Sequence, residues 1–221
     1  MTSQQEIATT LKMIQKSIRK FQEPAVTQIS HVTKHDPYRV LISCLLSLRT
    51  KDATTAKASE KLFAAADTPR RMLKLTKKRI EKLIYPVGFY RTKARRILDI
   101  SRTLLKNYHG NVPRQMEELL KLKGVGRKTA NIVLTYAFEN PEGLAVDTHV
   151  HRISNRLGWV HTKMPDQTEM ALRSTVPKKH WIIINDAFVT FGQNICAPVS
   201  PFCTRCPVQN LCKQVGVTKH R

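Results

Sequence analysis

Leu122-Lys123-Gly124-Val125-Gly126-Arg127-Lys128-Thr129-Ala130-Asn131 places a tight glycine turn between two helical segments, expected over 116–122 and 127–138. Neither glycine carries a Cβ, so the backbone here can approach a ligand closely. The second helix presents unpaired N–H groups at its start, where the helix dipole is positive. That geometry suits a phosphate. A G-x-G alone fits an ordinary helix–helix turn just as well. The cations Lys123, Arg127 and Lys128 around it are what point to phosphate.

Outward from this turn the apolar periodicity is helical almost throughout. Ile7, Leu11, Ile14 and Ile18 repeat at helical spacing and predict a first amphipathic helix. Pro37 opens an apolar segment over 38–48. Its length and its join to the alanine-rich 52–65 favour helix over a buried strand. Thr68-Pro69 reads as a cap followed by a first-turn proline. Further helices are expected over 80–84 and 94–108, the latter closed by Gly110. Asp147 caps a helix over 148–157 that Gly158 ends, and helices near 167–174 and 181–193 follow. There are no alternating strand pairs, no internal repeat and no low-complexity linker. The predicted fold class is all-α.

The chain has 221 residues, enough for one large domain or two small ones. Its 38 Lys and Arg against 16 Asp and Glu give a formal charge of +22. Such an excess favours a polyanion, because each phosphate neutralised releases counterions. Nucleic acid is the leading partner. An anionic membrane surface is the rival, but no stretch approaches the roughly 18 apolar residues of a spanning helix. The basic residues are spread along the chain, which points to a folded basic face rather than a disordered arm.

Cys196, Cys203, Cys206 and Cys212 form a C-x6-C-x2-C-x5-C loop, and Cys44 is the one other cysteine. Four thiolates in one loop can saturate a metal or cluster site, and two disulfides are the competing use. The start of the chain, 1–20, reads as a charged amphipathic segment rather than a signal peptide. A reducing cytosol or nucleus is therefore expected, which favours the metal. Zinc and an iron–sulfur cluster both accept four cysteines. Zinc sites usually show two close pairs, whereas only Cys203 and Cys206 form a C-x-x-C here, so the spacing tilts toward iron–sulfur.

Lys128 stands on the first turn of its helix beside Arg127. Both the dipole and that neighbour disfavour the ammonium form, and a neutral amine can form a Schiff base with a carbonyl carbon. Most lysines are merely solvated, and position alone does not make this one catalytic. Asp147, in Val146-Asp147-Thr148-His149-Val150-His151-Arg152, is fully explained as an N-cap, yet a carboxylate held there can also stabilise a developing cation. His149 and His151 fall on different helix faces, which disfavours a shared metal. Cys44 lies in an apolar run and reads as a small core residue.

Taken in order, L-x-G-V-G-R-K-T-A-N, then V-D-T-H-V-x-R at 19 residues from Lys128 to Asp147, then the cysteine loop, resembles the endonuclease III family. That family belongs to the helix-hairpin-helix superfamily of base-excision DNA glycosylases. The likeness runs from about Pro24 to Cys212. It implies two helical lobes. One is a six-helix barrel over 31–140 with the helix-hairpin-helix at about 116–138. The other combines 1–30 with 141–221 and carries a [4Fe–4S] cluster in the loop 196–212. DNA would lie across the groove between them. The resemblance makes Lys128 the amine nucleophile and Asp147 the catalytic carboxylate. Cys196, Cys203, Cys206 and Cys212 become cluster ligands, and Gly124, Val125, Gly126 and Arg127 the phosphate-facing turn. The implied activity is that of a bifunctional glycosylase and abasic-site lyase. It would act as a monomer on double-stranded DNA bearing oxidised pyrimidines such as thymine glycol.

Several positions depart from the family pattern. Arg49, in Leu45-Leu46-Ser47-Leu48-Arg49-Thr50, stands where bacterial relatives often have the glutamine that fills the space left by a flipped base. Phe89, in Gly88-Phe89-Tyr90, replaces a common leucine wedge. Both are expected to touch DNA and to shift lesion range or opposite-base preference. Lys123 replaces a frequent proline, and the loop 197–202 carries no basic residue where relatives often contact phosphate. Mismatch thymine or uracil glycosylases typically carry tyrosine at the Lys128 position, and adenine glycosylases lack this lysine and carry a further domain. A non-catalytic DNA-docking module would need neither Lys128 nor Asp147, and a redox carrier would not need the hairpin or the charge.

Overall fold

The computed structural model describes residues 3–140 and 142–221, and among them every regular element is helical. The chain divides into two compact units, Ala25–Asn140 and Met1–Pro24 with Pro141–Arg221.

The discontinuous unit begins with α1 (Gln4–Ile18). Ser3 caps it by accepting the Glu6 N–H at 3.1 Å. Ile7, Leu11 and Ile14 are buried on one face of this helix, as the sequence period requires.

Within Ala25–Asn140, α2 (Ala25–Val32) precedes α3 (Pro37–Ser47). The apolar period gives no sign of α2, because its buried face is Ala25, Val26, Thr27 and Ser30, small or polar residues. The Ser30 hydroxyl donates to the Tyr136 carbonyl at 2.8 Å, which ties α2 into this unit. The compact unit takes in α2 from Ala25 onward. Asp36 caps α3 through the Arg39 N–H at 2.8 Å, and Pro37 fills the first turn. Val40, Leu41, Ile42, Leu45 and Leu46 have no exposure at all, each burial contributing about 1.5–3 kcal/mol. The apolar run is thus a central helix, with the other elements packed around it.

Next come α4 (Asp52–Ala65), α5 (Pro69–Met72), α6 (Lys77–Ile84), α7 (Tyr90–Asn107), α8 (Met116–Leu120) and α9 (Arg127–Phe138). Thr68 and Thr76 cap α5 and α6 through their hydroxyls. The helix α3 packs against α2, α4, α7 and α9. The longest element, α7, begins at Tyr90, ahead of the expected 94, and turns Lys93, Ala94, Ile97, Ile100 and Leu104 inward. Six of the unit's eight helices run eight residues or more, and the short α8 pairs with α9 as the hairpin.

The discontinuous unit resumes with α10 (Thr148–Leu157), α11 (Pro165–Thr175) and α12 (Trp181–Asn194). Gly158, at φ 74°, ends α10 in the left-handed conformation. Val150, Ile153, Leu157, Trp159, Phe188 and Phe191 close over the buried face of α1. The cysteine-bearing segment follows α12 and adds Val208 to the same core.

Candidate functional site

The turn between α8 and α9 is anchored by buried side chains of Leu122 and Val125, with the Val125 N–H donating to the Leu122 carbonyl at 3.0 Å. Val125 therefore fixes the turn by both its side chain and its N–H. Lys123, Gly124 and Gly126 stay exposed. Gly124 has φ +90°, and a Cβ there would lie 2.9 Å from the Arg96 side chain. Gly126 caps α9 with no side-chain hydrogen bond of its own. Arg127 and half-buried Lys128 open the helix. Beneath them sits Cys44, 1% exposed, its thiol pushed up to about 12 by burial while the nearby Lys128 charge pulls it down.

Asp147, in the other unit, begins α10. Its Oδ1 accepts both the His149 N–H at 2.8 Å and the Val150 N–H at 2.9 Å. Capping thus uses one oxygen, and Oδ2 makes no hydrogen bond among the described residues. His151 Nδ1 lies 2.6 Å from Thr168 Oγ1, whereas Arg152 reaches His149 Nδ1 at 3.1 Å. The two histidines engage different partners.

Cys196, Cys203, Cys206 and Cys212 are unpaired thiols that line one cavity, walled by Ile153, Phe191, Ile195 and Val208. Burial pushes the Cys206 thiol up to about 11, and Cys203 and Cys212 also rise, chiefly through burial, with the Cys196 charge adding to both. Four thiolates around one apolar hole repel each other, and a cationic centre is what relieves that repulsion. The donor set therefore fits a metal group. Among the described residues no three His, Cys, Asp or Glu side chains are drawn close enough to hold a single ion.

Two arginines of α10, unassigned by the sequence reading, hold this loop. Arg156 donates to the Ala197 and Pro198 carbonyls, each at 2.7 Å, and to Cys196 Sγ at 3.3 Å. Arg152 donates to the Cys196 carbonyl at 2.8 Å. Nothing in the sequence links Arg156 to residues some forty positions on. The loop 197–202 does lie beside cations: the Arg205 and Arg221 guanidiniums stand 3.8 and 4.0 Å from the Phe202 ring centroid.

Arg49 and Phe89, far apart in sequence, come together. Both are exposed and left-handed, at φ 53° and 57°, and the Arg49 guanidinium lies 5.3 Å from the Phe89 ring centroid. Behind them Lys93, 4% exposed, donates to Leu46 O at 2.9 Å, Leu48 O at 2.5 Å and Thr50 Oγ1 at 3.2 Å. Burial, then the Arg96 charge, pulls its pKa down to about 8. Sequence reading passed over Lys93 as one basic residue among many. Its register was the available signal, since 93, 97, 100 and 104 fall on the buried stripe of α7.

Residues 42–178 match the model of the HhH-GPD superfamily of base excision DNA repair proteins. Endonuclease III of Thermotoga maritima is 54% identical over 178 residues, covering 80% of this chain and 83% of that one. The chain spans about half the length of the plant chloroplastic endonuclease III homologues that it also matches. A trapped endonuclease III–DNA covalent intermediate superposes with a TM-score of 0.82 at 34% identity, over 97% of both chains. A thermostable thymine-DNA glycosylase gives 0.78 at 25% identity, over 94% of both. With the glycine hairpin, the helical architecture and these likenesses together, the chain belongs to the HhH-GPD superfamily of base excision DNA repair proteins, within the endonuclease III family of DNA glycosylases with lyase activity.

Proposed function

We propose that this chain excises oxidised or saturated pyrimidines, thymine glycol being representative, from double-stranded DNA and then cleaves the resulting abasic site. The observation that carries this reading is Lys128, an amine on the first turn of an α9 whose cap is a glycine. A base inside the stack cannot be reached, so it is flipped out at a cost of a few kcal/mol that lesions reduce. The deprotonated Lys128 amine attacks C1′ of the sugar and the bond to the base breaks. Asp147 offsets the positive charge that develops there. Proton loss from nitrogen and ring opening give a Schiff base. Removal of a C2′ proton then expels the 3′ phosphate by β-elimination, and water releases the amine.

Gly124, Gly126 and Arg127 would meet phosphates, with Val125 holding the turn in shape, and Arg49 and Phe89 would enter the duplex at the lesion. Cys196, Cys203, Cys206 and Cys212 would hold a [4Fe–4S] cluster. Four unpaired thiols that line one cavity are a donor set that suits such a cluster. Bound there, the cluster supplies a covalent brace for the loop that Arg152 and Arg156 already grip. The enzyme would act as a monomer, in the nucleoid or the nucleus according to its host. Among the described residues no helix is long and apolar enough to cross a membrane.

Borohydride trapping on a duplex with one thymine glycol tests the reading. A covalent adduct with the wild type and none with Lys128→Gln supports it. Base release without an adduct would instead indicate a monofunctional glycosylase. The structural likeness to a thymine-DNA glycosylase makes mismatched thymine or uracil the second reading to try. Binding with neither adduct nor release would favour a docking module.

A further inference from the structure

Among the described residues Lys93 is the one buried lysine, and an ammonium is costly to bury unless its donors are met. It has three N–H donors, and three neutral oxygens receive them: Leu46 O, Leu48 O and Thr50 Oγ1. All three belong to the end of α3 and the turn after it, where helix carbonyls lack partners within the helix. The rest of the inward face of α7 is apolar or small, so a methionine would fill the space if space were all that mattered.

The bonds continue beyond Lys93. Thr50 Oγ1 also accepts the Gly88 N–H at 3.1 Å. Gly88 lies so close to the other segment that a Cβ there would stand 2.5 Å from the Arg49 carbonyl oxygen. Gly88 leads directly into Phe89. The segment 46–50 and the turn 88–89 are thus fastened together from behind, while Arg49 and Phe89 project in front with the guanidinium over the ring. Both tips sit in the left-handed region, which a residue with a side chain keeps only where its surroundings over-determine it. The Lys93–Thr50–Gly88 chain is the surrounding that does so.

We propose that Lys93 is a positioning residue that locks the Arg49 and Phe89 tips into one preorganised unit, and so governs excision of a base more than cleavage of a site that has already lost its base. The inference rests on the reading of Arg49 and Phe89 as residues that enter the duplex. Base flipping needs a wedge and a plug that arrive together, and a loosened pair slows that step. A preformed abasic site has no base to extrude, so it depends less on the pair.

Single-turnover rates on a thymine-glycol duplex and on an abasic duplex decide the matter for the wild type, Lys93→Met, Arg49→Ala and the double variant. Lys93→Met should slow base excision on the order of 100-fold, as expected for a misplaced contact, and abasic cleavage by much less. The double variant should be little worse than the poorer single one, because both changes remove the same unit. Equal losses on the two substrates, or losses that multiply in the double variant, would overturn the proposal. Should Lys93→Met not fold by circular dichroism, Thr50→Val removes one acceptor of Lys93 and the acceptor of Gly88. The same skew then supports the proposal and equal losses overturn it. If Arg49→Ala and Phe89→Ala both leave excision unchanged, the duplex-entry reading falls and the proposal with it. A skew in Arg49→Ala without one in Lys93→Met removes the positioning role alone.

Discussion

The helices α9 and α10 begin in opposite ways. At α9 the cap is Gly126, which has no side chain to close the end, and two basic residues, Arg127 and Lys128, occupy the first turn. At α10 the cap is Asp147, whose Oδ1 takes two backbone N–H groups, and the first turn carries no Asp, Glu, Lys or Arg. One helix start is left open and positive; the other is closed by a carboxylate. The open end has amide direction and dipole available for an anion. The closed end spends part of that field on fixing a single carboxylate in place, with one oxygen left over. A positive helix start can therefore serve as a receptor for an external charge or as a holder for an internal one, and the residue at the cap decides which.

Exchanging the charges breaks the contrast most severely. Lys128→Gln is expected to lower the rate of base excision by about 10⁴-fold or more and to abolish borohydride trapping, since no amine remains to form the Schiff base. DNA affinity in a filter-binding or anisotropy assay should stay close to that of the wild type.

Asp147 does two jobs that substitution can separate. Asparagine also caps helices well, so Asp147→Asn should keep its thermal midpoint near the wild type while losing about 10²–10³-fold in single-turnover rate. Asp147→Ala should lose both rate and about 1 kcal/mol of unfolding free energy. Equal destabilisation by Asn and Ala would mean that the carboxylate, not the cap geometry, holds α10.

Backbone at the open end comes next. Gly124→Ala must keep a left-handed φ and push the Arg96 side chain aside. The cost is expected at about 1–2 kcal/mol in chemical denaturation, with weaker DNA binding as the turn deforms. Smallest, and most pointed, is Gly126→Ser. Gly126 has φ −104°, and a Cβ there meets nothing within 4 Å, so serine fits without strain. It should stabilise the protein by about a few tenths of a kcal/mol by capping α9. The same capping bond competes with phosphate, so DNA affinity should fall several-fold. A variant that gains both stability and affinity would show that the open end is not a phosphate receptor.

What the sequence revealed of this fold follows a physical divide. The helices α1, α9, α10 and α12 were legible because large aliphatic residues recur at helical spacing or because a cap and a glycine mark the ends. Helix α2 was hidden because it buries Thr27 and Ser30 and relies on a hydrogen bond to Tyr136, more than a hundred residues away. The onset of α7 was obscured because Lys93 occupies a core position and reads as surface. The same divide runs through the site. The hairpin and the cysteines are contiguous motifs whose chemistry can be read locally. The Arg156 grip on Ala197 and Pro198, and the meeting of Arg49 with Phe89, exist only once the chain has folded.

Cys44 gives the hairpin helix a built-in reporter. Its thiol is walled off at 1% exposure and held protonated by burial, so a thiol reagent has neither access nor a thiolate to attack. Labelling at this position requires α3 to part, at least for a moment, from the helices packed on it, α9 among them. Its rate therefore clocks the breathing of the core into which the Lys128 helix packs, in the native chain, without a probe having to be introduced.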